Sequence, residues 1–168
     1  MAAFHRPLRK PPAMPLADLL WLCVAAYGLH VLEEFQFDWR NWARAVIKLP
    51  VEWTDFYIVN ALVIVLGVVA ANLVRQPALA LAFPALMLIN ALFFHVLPMI
   101  RTHGRYSPGV FTAVLLFFPL GIACYHRALS AGLVGWPGVV LSFIIGALLM
   151  ASPIVLLQLK SRTYFRQT

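Results

Sequence analysis

Five stretches of this chain are apolar over about the 20 residues that a helix needs to cross a bilayer, and this limits the fold more than any other feature. They run over 16–35, 53–74, 77–100, 107–127 and 136–159. Backbone polar groups cannot stay unsatisfied in hydrocarbon, so spanning segments of this kind are helices. The expected fold is therefore all-α: a polytopic membrane helix bundle of about five transmembrane helices plus a short interfacial helix. Composition agrees. The chain is 62% hydrophobic and 11% charged, against about 45–50% and about 25% in soluble domains. Its 168 residues leave no room for a second soluble domain. The organisation reads as a basic, proline-rich tail over 1–15, one transmembrane domain over 16–159 and a basic tail over 160–168.

Local signals refine this outline. Pro11, Pro12 and Pro15 suit a stiff lead-in to the first span rather than a helix interior. Arg6, Arg9 and Lys10 ahead of an apolar run resemble a signal peptide, with Val24-Ala25-Ala26 as a weak cleavage site. Cleavage there would strip the polar motif discussed below of its helix, so a retained first span is expected. Pro84 and Pro98 predict bends in the third span, and Pro119 a kink in the fourth. Ser107-Pro108-Gly109 reads as an N-cap serine followed by proline at the first helical position. Gly138, Ser142 and Gly146 form a ridge of small residues, expected to serve internal packing rather than a dimer face. Cys23 and Cys124 form no CxxC pair and read as small buried apolar residues.

Residues 37–51 are too polar to cross. Arg40, Arg44 and Lys48 recur at four-residue spacing, while Trp39, Trp42, Val46 and Ile47 supply apolar surface. That pattern predicts a helix lying in the interface. The formal charge of +7 comes from basic residues at the ends of apolar runs or in the tails, where snorkelling and anionic headgroups favour them. No basic stripe lies on a water-facing domain, so nucleic acid is not an expected partner. The expected partner is the lipid bilayer and the expected location the cell membrane; no feature indicates a protein partner. Arg40, Arg44, Lys48, Arg101, Arg105, Lys160, Arg162 and Arg166 fall on one side, and Arg6, Arg9, Lys10, Arg75 and Arg127 on the other. This balance favours the first group's side as cytoplasmic.

The segment His30-Val-Leu-Glu33-Glu34 ends the first span. Its three ionisable groups share an arc of about 100° on one helix face. Such groups at membrane depth are costly and point to function. Alternating span direction brings Asp55, Tyr57, Asn60, Asn90, His95, His103, Arg105 and Tyr106 to the same membrane face, where five of the six acids also fall. Imidazole and carboxylate are usual zinc ligands, and three protein ligands plus water make a catalytic site. His30, Glu34 and His95 satisfy that count. Glu33 and Glu34 are the candidate catalytic carboxylates, the non-ligating one acting as general base on bound water. A divalent metal is thus the expected cofactor. Zinc is favoured and iron second, because a two-iron site would also need Asp55. Asp55, Asn60, Asn90, His103, Arg105 and Tyr106 are the supporting polar groups, with Asn60 and Asn90 expected mainly as interhelical glue. A purely structural arrangement stays open: glutamates at headgroup level paired with Arg40 or Arg101, and His30 bonded to a carbonyl.

The His30-Val-Leu-Glu33-Glu34 string at the end of a first apolar span resembles the defining motif of the HXXEE-domain family of small integral membrane proteins. Asn90-Ala-Leu-Phe-Phe-His95 and Arg105-Tyr106-Ser107-Pro108-Gly109 are similar to later stretches expected there, so the resemblance covers spans one to four. It implies a membrane address and no particular reaction. Intramembrane CAAX-type proteases also pair adjacent glutamates with later histidines. Their pattern wants an arginine where this chain has Asp38, and a phenylalanine where it has Ala91 or Met99. The leading functional reading is a metal-dependent membrane enzyme acting on a lipid-like or membrane-partitioned substrate. An ion- or proton-coupled carrier and a noncatalytic assembly subunit are the alternatives.

Overall fold

The computed structural model describes residues 13–160, 162 and 164. Arg6, Arg9, Lys10, Pro11, Pro12 and Arg166 lie outside the described residues. The described residues form six helices in order: α1 Leu16–Gln36, α2 Trp39–Val46, α3 Trp53–Asn72, α4 Pro77–Arg101, α5 Val110–Ser130 and α6 Trp136–Lys160. The described residues contain no strand. All but α2 are long and apolar enough to cross a bilayer. The chain is an all-helical membrane protein, and its apolar helices contact lipid.

α2 is the short helix expected between the first two spans. Asp38, at φ 56°, starts it and accepts from the Asn41 backbone N–H at 3.4 Å. Its apolar face buries Trp39, Trp42 and Ala43 in a small cluster with Leu49, Val51 and Phe56. On its polar face, Arg40 and Arg44 both pair with Glu52. Glu52 and Asp55 in turn form a reciprocal capping box at the start of α3. Both basic residues on α2 are therefore tied to the start of the next helix, while Lys48 falls beyond the end of α2.

The prolines shape α4 and α5. A proline removes one backbone donor and crowds the carbonyl four residues earlier. α4 is interrupted at Leu81, beside the Ala80 carbonyl that Pro84 crowds, and turns π-helical over Ala91–Val96 just before Pro98. α5 does the same over Ala113–Phe117 before Pro119. The expected N-cap role of Ser107 is not what forms. α5 starts at Val110 with Gly109 as its cap residue at φ 96°, and no side chain of its own sequence caps it. The Ser107 hydroxyl instead donates to the Phe94 carbonyl at 3.3 Å, the group that Pro98 leaves without its helical donor.

α1 packs against α3 and α5, and α4 packs against α5 and α6. The small-residue ridge on α6 serves internal packing, as expected. A Cβ added at Gly146 would stand 2.8 Å from the Ala85 Cβ, and Ser142 hydrogen-bonds the Tyr125 hydroxyl at 2.7 Å. Cys23 and Cys124 are fully buried between α1 and α5, with their sulfurs 3.7 Å apart as free thiols.

Candidate metal centre

His30 and Glu34 stand one turn apart near the end of α1, and His95 lies in the π-helical turn of α4. All three are buried. One oxygen of Glu34, Oε1, lies 3.5 Å from Nε2 of His30 and 3.5 Å from Nε2 of His95. The three candidate ligand atoms all fall within 4.8 Å of one another, the one such group among the described residues. A distance of 3.5 Å is too long for a hydrogen bond, and both Nε2 atoms lack a partner. It does match the spacing of about 3.4 Å between two ligands held at about 2.1 Å by a tetrahedral ion.

The surrounding hydrogen bonds assign the protons. Thr112 Oγ1 lies 2.8 Å from His30 Nδ1, 2.6 Å from Glu33 Oε2 and 3.1 Å from the Gly109 carbonyl. Carboxylate and carbonyl only accept, so the Thr112 hydroxyl donates to one of them and accepts from His30 Nδ1–H. His95 Nδ1 lies 3.3 Å from Ser107 Oγ, whose own proton goes to the Phe94 carbonyl. Both imidazoles thus donate from Nδ1. Each places Nε2, without a hydrogen-bond partner, 3.5 Å from Glu34 Oε1. This is the tautomer of a histidine that ligates through Nε2.

Glu33 faces away from this point. Its carboxylate accepts the N–H groups of Gly109 at 3.1 Å, Phe111 at 3.1 Å and Thr112 at 2.8 Å, plus the hydroxyls of Tyr106 at 2.9 Å and Thr112 at 2.6 Å. It caps α5 from another helix, where the positive end of the dipole favours a carboxylate. Burial, and then the Glu33 carboxylate, hold the Tyr106 phenol well above the usual tyrosine range, so it stays a donor. Gly109 is required twice over. Its φ of 96° suits glycine, and an added Cβ would stand 2.6 Å from His95 Cε1 and 2.7 Å from His30 Cε1. Phe117 of α5 packs its ring 4.4 Å from that of His30.

The other predicted residues separate into two groups. Asn60 and Asn90 border a cavity of about 60 Å³ beside Glu34, together with Tyr27, Trp39 and Asp55. Asn60 accepts from the Tyr27 hydroxyl at 2.8 Å, which makes it glue between α1 and α3. Asn90 Oδ1 and Trp39 Nε1 are buried without partners. Asp55 pairs with Lys160 at 2.9 Å. His103 and Arg105 lie exposed in the loop after α4, outside the three-ligand group. Sequence reasoning missed Ser107, Gly109 and Thr112 as parts of the site. For the first two, the Arg105–Gly109 motif was the available signal; Thr112 carried none.

No curated protein and no solved structure matches this chain. One family model does, over residues 21–124, which spans more than half of the 168 residues and includes every residue of the centre and its supporting shell. The chain belongs to the family described as proteins of unknown function with an HXXEE motif.

Proposed function

We propose that the protein is a metal-dependent enzyme of the cell membrane that acts on a lipid-like or membrane-partitioned substrate. The observation that carries this reading is the pair of bare Nε2 atoms converging with Glu34 Oε1 at 3.5 Å in a buried setting. Three lone pairs aimed at one point repel each other and call for a cation there. Zinc suits two imidazoles, one carboxylate and an open fourth position best. Iron stands second, because Asp55 is engaged by Lys160. A divalent ion in such a centre lowers the pKa of bound water and polarises a substrate oxygen.

The chain supplies the remaining functions. Glu34 borders the cavity as well as the ion position, so its Oε1 would hold the ion while its second oxygen would accept a proton from water in the cavity. Both Glu33 oxygens are engaged, and Glu33 acts through Thr112 to fix the ring of His30. It is a positioning residue. A carrier would need polar groups continuing towards the opposite face, yet Leu20, Cys23 and Phe83 fill the bundle there.

Elemental analysis of detergent-purified protein tests the reading. About one zinc per chain is expected, with loss in both His30→Ala and His95→Ala. Metal-free protein whose function survives both substitutions would end it.

A further inference from the structure

A groove of about 420 Å³ runs between α3 and α6. Ile58, Leu62 and Leu66 form one wall, and Leu149 and Leu156 the other. The groove is apolar even where Pro153 breaks the hydrogen-bond ladder of α6, because the Ser152 hydroxyl donates to the Leu149 carbonyl at 2.9 Å. From Asp55 to Leu66 the groove follows α3 for about 16 Å at 1.5 Å per residue. That is about half of the ~30 Å hydrocarbon core, the depth of one leaflet.

Two features of its upper end point to the occupant. The groove shares Asp55, Val59, Pro153 and Leu157 with the cavity beside Glu34, so an apolar trough and a small cavity that holds Glu34, Asn60 and Asn90 in its wall meet along a common side. Asn90 and Trp39 line that pocket, and Asn90 Oδ1 and Trp39 Nε1 are buried there without a hydrogen-bond partner. The Asp55–Lys160 ion pair bridges α3 and α6 above it. The charges at the mouth cancel, and the pocket holds only a small polar group.

We propose that the α3–α6 groove binds the acyl chain of the substrate, a neutral amphiphile taken sideways from one leaflet, with its hydroxyl, ester or amide end in the cavity beside Glu34. That end lies against Asn90 and Trp39, the two lining residues of the cavity whose buried polar atoms have no partner. This assignment rests on the metal-centre reading for its chemistry, but its binding test does not.

The probe is a palmitoyl monoacylglycerol with a mid-chain diazirine, photolysed with the full-length protein in phosphatidylcholine nanodiscs. Adducts mapped by mass spectrometry are expected along 58–66 and 149–157, and excess unlabelled monoacylglycerol should suppress them. Leu62→Trp and Leu156→Trp fill the groove from opposite walls at lipid-facing positions, and each should cut adduct yield about ten-fold. Leu115→Trp, on the outer surface of α5, should leave the yield unchanged. Zinc content measured on the same samples stays equal across all four proteins, which separates failure of the groove from failure of the metal centre. Adducts spread evenly over lipid-facing residues such as Leu115 and Ile122, or insensitive to competitor and to both groove tryptophans, would overturn the proposal. So would a groove shielded from label because a second copy of the chain covers it.

Discussion

The Thr112 hydroxyl links the two layers of the centre. It accepts a hydrogen bond from the Nδ1–H of His30 and donates to Glu33 at 2.6 Å, which makes it the element that sets which nitrogen faces the ion. Outer-shell partners of this kind are worth about 10–100-fold in metal affinity. Thr112→Val keeps the shape and removes the hydroxyl. Zinc affinity, measured by competition with a chelating fluorophore, is expected to fall by that factor while helix content stays the same. Thr112→Ser should retain most of the affinity, and a valine variant that binds as tightly as the parent would remove the proton assignment. The inner layer was legible in the sequence because its chemistry is unusual for its setting: His30, Glu34 and His95 have little reason to lie inside apolar spans. The outer layer was not. Thr112 looks like any threonine opening a helix, and Gly109 like any glycine after a proline. Only the approach of a loop from another part of the chain gives them their roles.

At the scale of elements, Glu52 is the joint between the interfacial helix and the bundle. The Arg40 guanidinium first, and then that of Arg44, hold its carboxyl below the usual glutamate range. A carboxyl depressed in the folded state contributes stability above its unfolded pKa of about 4.3 and loses that contribution as pH falls through its folded value. Docking of α2 should therefore be insensitive to pH near neutrality and loosen under acid, below about pH 4. The emission of Trp39 and Trp42, buried against Phe56, should shift to the red over that window. Glu52→Gln should show the looser state already at neutral pH, with a flatter acid profile. An identical acid profile in the variant would move the titration to another group. The existence of α2 was readable from tryptophans and arginines at helical spacing, whereas its anchor was not. The arginines looked ready for headgroups, and the competing partner lies beyond a turn whose path the pattern does not give. The prolines gave a similar half-reading. They located the irregular regions of α4 and α5 but not the π-helical turns there, one of which sets the register of His95.

For the whole molecule, the ion position joins helices that lipid alone would not lock together. Helix association in a bilayer lacks a strong hydrophobic drive, so packing and polar contacts decide it. The spans themselves were legible from length and hydropathy. Which helices would close on each other, and that α3 and α6 would leave a groove, depended on packing that apolar residues of similar size do not encode. An ion shared by α1 and α4, with α5 held against both through Gly109 and Thr112, would staple the centre of the bundle. Such linkage stabilises by about 2.7 kcal/mol when free metal is a hundred times its Kd. Removing the metal with a chelator is therefore expected to lower the thermal midpoint by several degrees, followed through the five tryptophans, and added zinc should restore it. His30→Ala should begin at the lower midpoint and respond to neither treatment. A parent protein that loses measured zinc without any change in midpoint would show that the ion is not holding α1, α4 and α5 together, even if the chemistry at Glu34 remained intact.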